Sequence, residues 1–252
     1  MKNKQKSLKL NFIMNAILTM SSFLFPLITF PYVSRVLLPA GTGRVSFANS
    51  VVTYFVMISQ LGIPTYGIRA CAVVRDDEEK LKKTVYELFI INVVMSIFAY
   101  VVFFIALASV PRLRADKNLF LITSTLIFFN TIGVEWLYKA LEQYTYITIR
   151  SIIFKFIALI AMFVLVRNVD DYVIYGGISI FAASASNVFN FVRLRKIIGT
   201  KNVSNLNFKK HFKPVFTFFI ISCATTIYTN LDNVMLGFMK DDVEVGYYNA
   251  AT

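Results

Sequence analysis

The chain has 252 residues, 57% of them hydrophobic at a mean hydropathy of +0.63, and only 16% are charged, against about 25% in soluble domains; a water-soluble globule is excluded. Twenty-six Lys and Arg against 14 Asp and Glu leave a net charge of +12, a surplus that in so apolar a chain faces anionic lipid and not nucleic acid. One histidine, His211, and two widely separated cysteines, Cys71 and Cys223, give no basis for a multi-histidine metal site, a Ser or Cys triad or a disulfide framework, so no catalytic residue, metal or cofactor is expected.

About 20 apolar residues in helix cross about 30 Å of hydrocarbon, and charge-free stretches therefore locate the membrane. In chain order the stretches run from Lys9 to Arg35, Arg44 to Arg69, Glu87 to Arg112, and Lys117 to Lys139 with Glu135 inside. Three more follow: Arg150 to Arg167 with Lys155 inside, Asp171 to Arg193, and Lys213 to Lys240 with Asp232 inside. An eighth begins near Val243. Barrel strands would be about ten residues long and strictly alternating, so the expected fold is all-α, a polytopic helical membrane bundle. Asp76 to Glu79 precede a Lys-rich turn and are placed to cap the third helix. Pro26 and Pro31 each remove a backbone hydrogen bond from the first span and favour a bend there.

Lys and Arg divide unevenly between the two sets of loops. Eighteen lie with the N-terminus, the Arg69–Lys83 loop, Lys139 with Arg150, and the Arg193–Lys213 loop, and seven lie opposite. The positive-inside rule then puts the N-terminus in the cytoplasm and predicts a multi-pass protein of the cytoplasmic membrane. A cleaved signal peptide is the alternative for the basic start, but no small-residue cleavage site follows it.

At an offset of 203 residues the chain matches itself: Gly43-Arg-Val-Ser-Phe-Ala48 aligns with Gly246-Tyr-Tyr-Asn-Ala-Ala251. Each piece follows a basic cluster, a long apolar span and a short turn, and an even number of helices separates them, so the two units point the same way. Residues 1–200 are read as a six-helix bundle, and 201–252 as the start of a second bundle that is cut short. On this expectation the chain is the N-terminal portion of a longer, two-bundle transporter. No G-x-x-x-x-G-K-[ST] loop occurs, so transport must draw on an ion gradient or a partner.

The stretch Glu135-Trp-Leu-Tyr-Lys-Ala-Leu-Glu-Gln-Tyr-Thr-Tyr-Ile-Thr-Ile-Arg150 resembles the matching part of bacterial polysaccharide flippases. Thr229-Asn-Leu-Asp-Asn-Val-Met-Leu-Gly237 with Val245-Gly-Tyr-Tyr-Asn-Ala-Ala251 is similar to the segment that opens their second half. These are the O-antigen and capsule repeat-unit translocases of the multidrug/oligosaccharidyl-lipid/polysaccharide exporter superfamily. The resemblance implies a non-enzymatic transporter that moves undecaprenyl-diphosphate-linked oligosaccharide between leaflets by alternating access. Its partners would be that lipid-linked oligosaccharide, membrane lipids, and a polysaccharide polymerase with chain-length proteins.

The polar residues within spans are the candidate sites, since an ionisable group there costs at least about 2.5 kcal/mol. Lys155 with Arg150 makes a basic strip for a diphosphate, the alternative being that Lys155 snorkels to headgroups. Arg35 and Arg44 flank the first outward turn and are candidates for releasing substrate, or are simply solvated. Asp232 is a candidate proton or sodium site, or a buried hydrogen-bond partner of Asn230 or Asn233. Glu135 is a second ion-coupling candidate, with an interfacial i,i+4 pair to Lys139 as its other reading. Competing functions are a drug or cation antiporter of the same superfamily, a membrane-embedded sugar polymerase or glycosyltransferase, and a structural subunit.

Overall fold

The computed structural model describes residues 8–198 and 205–252. Lys2, Lys4, Lys6 and Lys201 of the orientation count, and the side chain of Lys196, lie outside the described residues. Among the described residues there is no strand; six helical stretches are long and apolar enough to cross a membrane.

The first of these holds α1 (Leu8–Gln60) and α2 (Ile63–Val73). As a straight rod α1 would be about 80 Å long, more than twice the hydrocarbon thickness. It breaks at Leu38, whose φ of 59° and ψ of 173° are non-helical. The next residue is Pro39, which crowds the residue before it out of the α region. The chain folds back there: Leu18 and Leu61, on opposite sides of the break, pack on one core of Ile63, Leu88 and Leu137, while Leu37 packs with Met162 and Val166. Six stretches therefore contain seven crossings. The backbone stays helical through Pro26 and Pro31 and breaks instead in the turn between Arg35 and Arg44.

Helix α3 (Glu78–Ser109) starts where the Asp77 carboxylate accepts from the Lys80 N–H at 3.1 Å, with Glu78 and Glu79 in the first turn. The Lys80 ammonium and that N–H hold the Asp77 carboxyl below its ordinary range. The acidic run is thus a cap, as its position predicts. Helix α4 (Pro111–Ala115) makes the far turn to α5 (Lys117–Gly133). Left-handed Val134 (φ 37°) then separates α5 from α6 (Glu135–Ala140). Helix α7 (Tyr144–Leu165) follows, and a 3₁₀ turn (Val169–Asp171) leads into α8 (Tyr172–Ile180). A π-helical turn (Phe181–Ala185) joins α8 to α9 (Asn187–Ile198); α10 (Lys209–Met239) and α11 (Asp242–Ala251) complete the chain.

Inter-helix contacts fix the directions. The first half of α1 runs parallel to α7, since Thr148 bonds the Met14 carbonyl, Lys155 the Ser21 hydroxyl and Tyr32 the Val166 carbonyl, each pair 134 residues apart. Its second half runs antiparallel to α3, with Phe55 on Phe103 and the Ser59 carbonyl on Asn92. One end of the bundle gathers the starts of α1, α3, α7 and α10 and is rich in Lys and Arg; it is called the basic end below.

At the far end α11 docks on the second half of α1 through glycines. A methyl group on Gly43 would strike the backbone carbonyl of Asp242, and one on Gly246 would strike that of Pro39. Under the 203-residue offset Gly43 corresponds to Gly246 and Pro39 to Asp242, so the contact is reciprocal, as between two-fold-related elements.

Candidate functional site

The site nearest the basic end grows out of the break at Val134. Stopping α5 there leaves its last carbonyls without helical partners. Two amides of α9 meet them: Asn187 Nδ2 donates to the Phe129 carbonyl (3.1 Å) and Asn190 Nδ2 to that of Gly133 (2.6 Å). The Tyr138 hydroxyl donates to the Asn190 carbonyl at 2.7 Å, which fixes α6 against α9. Onto this polar floor α7 sends Arg150 and α9 sends Arg193.

Arg150 is only 8% exposed. One guanidinium nitrogen donates to Asn187 Oδ1 at 3.3 Å, while Nε and Nη1 meet no acceptor. The Tyr146 ring lies 5.7 Å from the Arg150 guanidinium and 4.2 Å from that of Arg193. Two cations thus converge on one aromatic ring, and among the described residues neither forms an ion pair. Glu135 acts electrostatically on Arg150 and Lys155, yet its carboxylate is bound to Lys139 at 2.8 Å, the i,i+4 pair its spacing predicts. A buried guanidinium with two free donors is costly until an anion or water meets them, and an oxyanion with several acceptors matches that need.

Lys155 does not share this floor. It turns to the first half of α1 and donates to the Ser21 and Ser22 hydroxyls, both at 2.9 Å. Since α7 starts at Tyr144, Lys155 lies about 17 Å along it, near mid-depth. The structure therefore holds Lys155 on α1 instead of letting it snorkel, and divides the expected strip into two separate cations.

Arg44 and Arg35 part in the same way. Arg35 is exposed and, among the described residues, shows no ion pair. Arg44 is held: its Nε meets Asp242 at 3.2 Å, its Nη1 meets Asp116 at 3.9 Å, and its guanidinium lies 5.0 Å from the Tyr172 ring. Arg112 binds the same Asp242 carboxylate and donates to the Gly237 carbonyl at 2.9 Å. Tyr172 donates to Asp116 at 3.0 Å. This network ties α4, α5 and α8 to α10 and α11 across the far end of α1. Asp232 is exposed on α10, accepts from the Tyr248 hydroxyl at 2.5 Å, and lines an open groove with Ala224, Ile227, Tyr228 and Leu231.

Sequence reasoning missed the most buried carboxylate. The charge-free stretch begins at Glu87, yet Glu87 lies nine residues inside α3, beyond the acidic cap, and is fully buried there. Its partners come from α10 and the approach to it, more than a hundred residues away. Arg193 was likewise read as a loop charge.

A model of the family described as "Polysaccharide biosynthesis protein" matches residues 8–252. The chain belongs to that family. It is 26% identical over 256 residues to a protein of Escherichia coli (strain K12) named "Putative O-antigen transporter", a match that covers 100% of this chain and 61% of that one. A Shigella dysenteriae protein of the same name is 24% identical over 234 residues, which cover 92% of this chain and 58% of the relative. The chain thus spans about three-fifths of the length of these curated relatives. No solved structure matches it.

Proposed function

We propose that the protein carries lipid-linked oligosaccharide repeat units of a surface polysaccharide across the cytoplasmic membrane, as a non-enzymatic flippase working by alternating access. The observation that carries this reading is the buried Arg150 guanidinium with two unpartnered donors, beside Arg193 and Tyr146. A diphosphate supplies the several acceptor oxygens such a site lacks, and Arg193, held on the Tyr146 ring, adds a second cation to meet them. The relatives named for O-antigen transport support the same cargo class, and the undecaprenyl carrier comes from the flippase resemblance. Lys155 is assigned a later contact with the diphosphate, deeper along α7, and Arg35 with Arg44 its release.

The basic end is assigned to the cytoplasm by the excess of Lys and Arg in its loops. The far-end network of Arg44, Arg112 and Asp242 then closes the outer side in the conformation observed. The reciprocal Gly43–Gly246 contact supports reading residues 201–252 as the start of a second bundle related to the first. A polysaccharide polymerase and chain-length proteins would act on the exported units.

The groove at Asp232, acidic and lined by tyrosine, favours ion exchange as the driving step, with Asp232 binding the proton or sodium ion and Glu135 next in rank. In a strain lacking its own O-antigen flippase, the full-length protein should restore surface glycan, with reporters fused at Lys80 reading cytoplasmic and at Arg114 outside. Folded protein at native level that leaves the glycan absent, or reporters with the reverse pattern, would overturn this assignment.

A further inference from the structure

The Glu87 carboxylate, fully buried in α3, receives three donors. Oε1 accepts from the backbone N–H of Asn207 at 2.6 Å, and Oε2 meets the Lys210 ammonium at 2.7 Å and His211 Nε2 at 2.8 Å. The other ring nitrogen of His211, Nδ1, lies 2.8 Å from the Tyr66 hydroxyl of α2. A continuous chain thus runs from α2 through α10 to α3, at the basic end. His211 is the only histidine in the sequence, and its side chain is 2% exposed. Gly62, ahead of α2, lets the same region of α10 approach closely, because a methyl there would strike the backbone of Phe218 and Phe219.

We propose that this cluster is a proton-binding clasp, in which protonation of His211 sets how firmly the start of α10 is held to α2 and α3. The hydrogen bonding is built for one added proton. With neutral imidazole, Nε2–H donates to Glu87 and Nδ1 accepts from the Tyr66 hydroxyl. When Nδ1 takes a proton, the Tyr66 O–H rotates so that its oxygen accepts, and no hydrogen bond is lost. The charge changes instead. Neutral His211 leaves Glu87 and Lys210 balanced; the imidazolium adds a second, buried positive charge beside the Lys210 ammonium with one carboxylate to offset both, so the protonated cluster is held less firmly. The titratable and charged groups facing His211 are Tyr66 from α2, Glu87 from α3 and Lys210 from α10, with the Cys71 thiol of α2 acting on Tyr66 from behind. Lys210, 43% exposed, connects the cluster to water. The clasp therefore loosens as pH falls through the titration of His211, because the released imidazole takes up the proton more readily than the clasped one.

The Asn207 amide reports on the clasp directly, because it donates to Glu87. Hydrogen exchange of the full chain in lipid nanodiscs, corrected for the intrinsic pH dependence of exchange, should show its protection falling by about tenfold between pH 8 and pH 5.5, the effect of one unit of linked pKa. His211→Gln keeps one donor and one acceptor but does not titrate, and Glu87→Gln keeps the acceptor for Asn207 but not the charge. His211→Gln should give protection that no longer changes with pH, whereas Glu87→Gln, which leaves His211 titrating beside Lys210 with no carboxylate to offset it, should lose protection more steeply than wild type as pH falls. Protection of the wild-type amide that is independent of pH, or a folded variant of either kind that keeps the wild-type pH dependence, would overturn the proposal. The readout needs no transport, so it stands or falls separately from the flippase reading.

Discussion

Gly246→Val should destabilise the protein by about 3 kcal/mol or more, the upper range for forcing bulk into a packed contact. A Cβ at Gly246 meets the backbone of Pro39 and not the end of a mobile side chain, so the only relief is to part α11 from α1. That separation would also pull Asp242 from Arg44 and Arg112. Gly177→Ala is the contrasting case: its new methyl would lie 3.5 Å from an Ile122 methyl, an ordinary contact, and helix propensity favours Ala over Gly by up to about 1 kcal/mol. Chemical unfolding in detergent should rank the two far apart. Equal stabilities would show that the far-end seam is not closed by backbone contact.

The second large effect separates stability from transport. Arg150→Met removes a buried cation that has two unpartnered donors and a single 3.3 Å bond to Asn187. Replacing an uncompensated buried charge by an apolar chain of similar length is neutral or stabilising, so unfolding should be unchanged or harder. Export should nevertheless fall by roughly ten- to a hundredfold, the weight of one or two hydrogen bonds to a charged group. Lys155→Met should reduce export less and leave Arg150 in place, because the two cations face different helices. Surface glycan measured at matched protein levels checks both. Undiminished export in Arg150→Met would return Arg150 to a packing role.

The number and order of the crossings were legible because charges interrupt apolar helix wherever it meets water, and Arg35 and Arg44 bracket the reversal at Leu38. The residue at which the helix breaks was not legible. Pro26, Pro31 and Pro39 all carry the same local restriction, and only the third coincides with the point where the chain must leave the membrane. The Glu135–Lys139 pair was legible because i,i+4 spacing is local. Glu87 was misplaced for the opposite reason: taking the first charge as a span boundary fails when the Lys210 ammonium, from a helix distant in sequence, neutralises it inside the helix. Arg193 and Arg150 looked like separate loop and entry charges, and only the break at left-handed Val134, which brings α6, α7 and α9 together, places them on one ring. Non-glycine left-handed residues carry no sequence signal strong enough to anticipate that break.

Leaflet transfer of a lipid-linked glycan is read by reconstituting the full-length protein in liposomes that carry an undecaprenyl-diphosphate-linked oligosaccharide in one leaflet. A glycosidase confined to the opposite side then reads the sugar that has crossed. Cleavage should grow with time well above protein-free liposomes and drop sharply with Arg150→Met, as leaflet transfer by this protein requires. Cleavage no faster than in protein-free liposomes, with the protein folded and an ion gradient imposed, would contradict it.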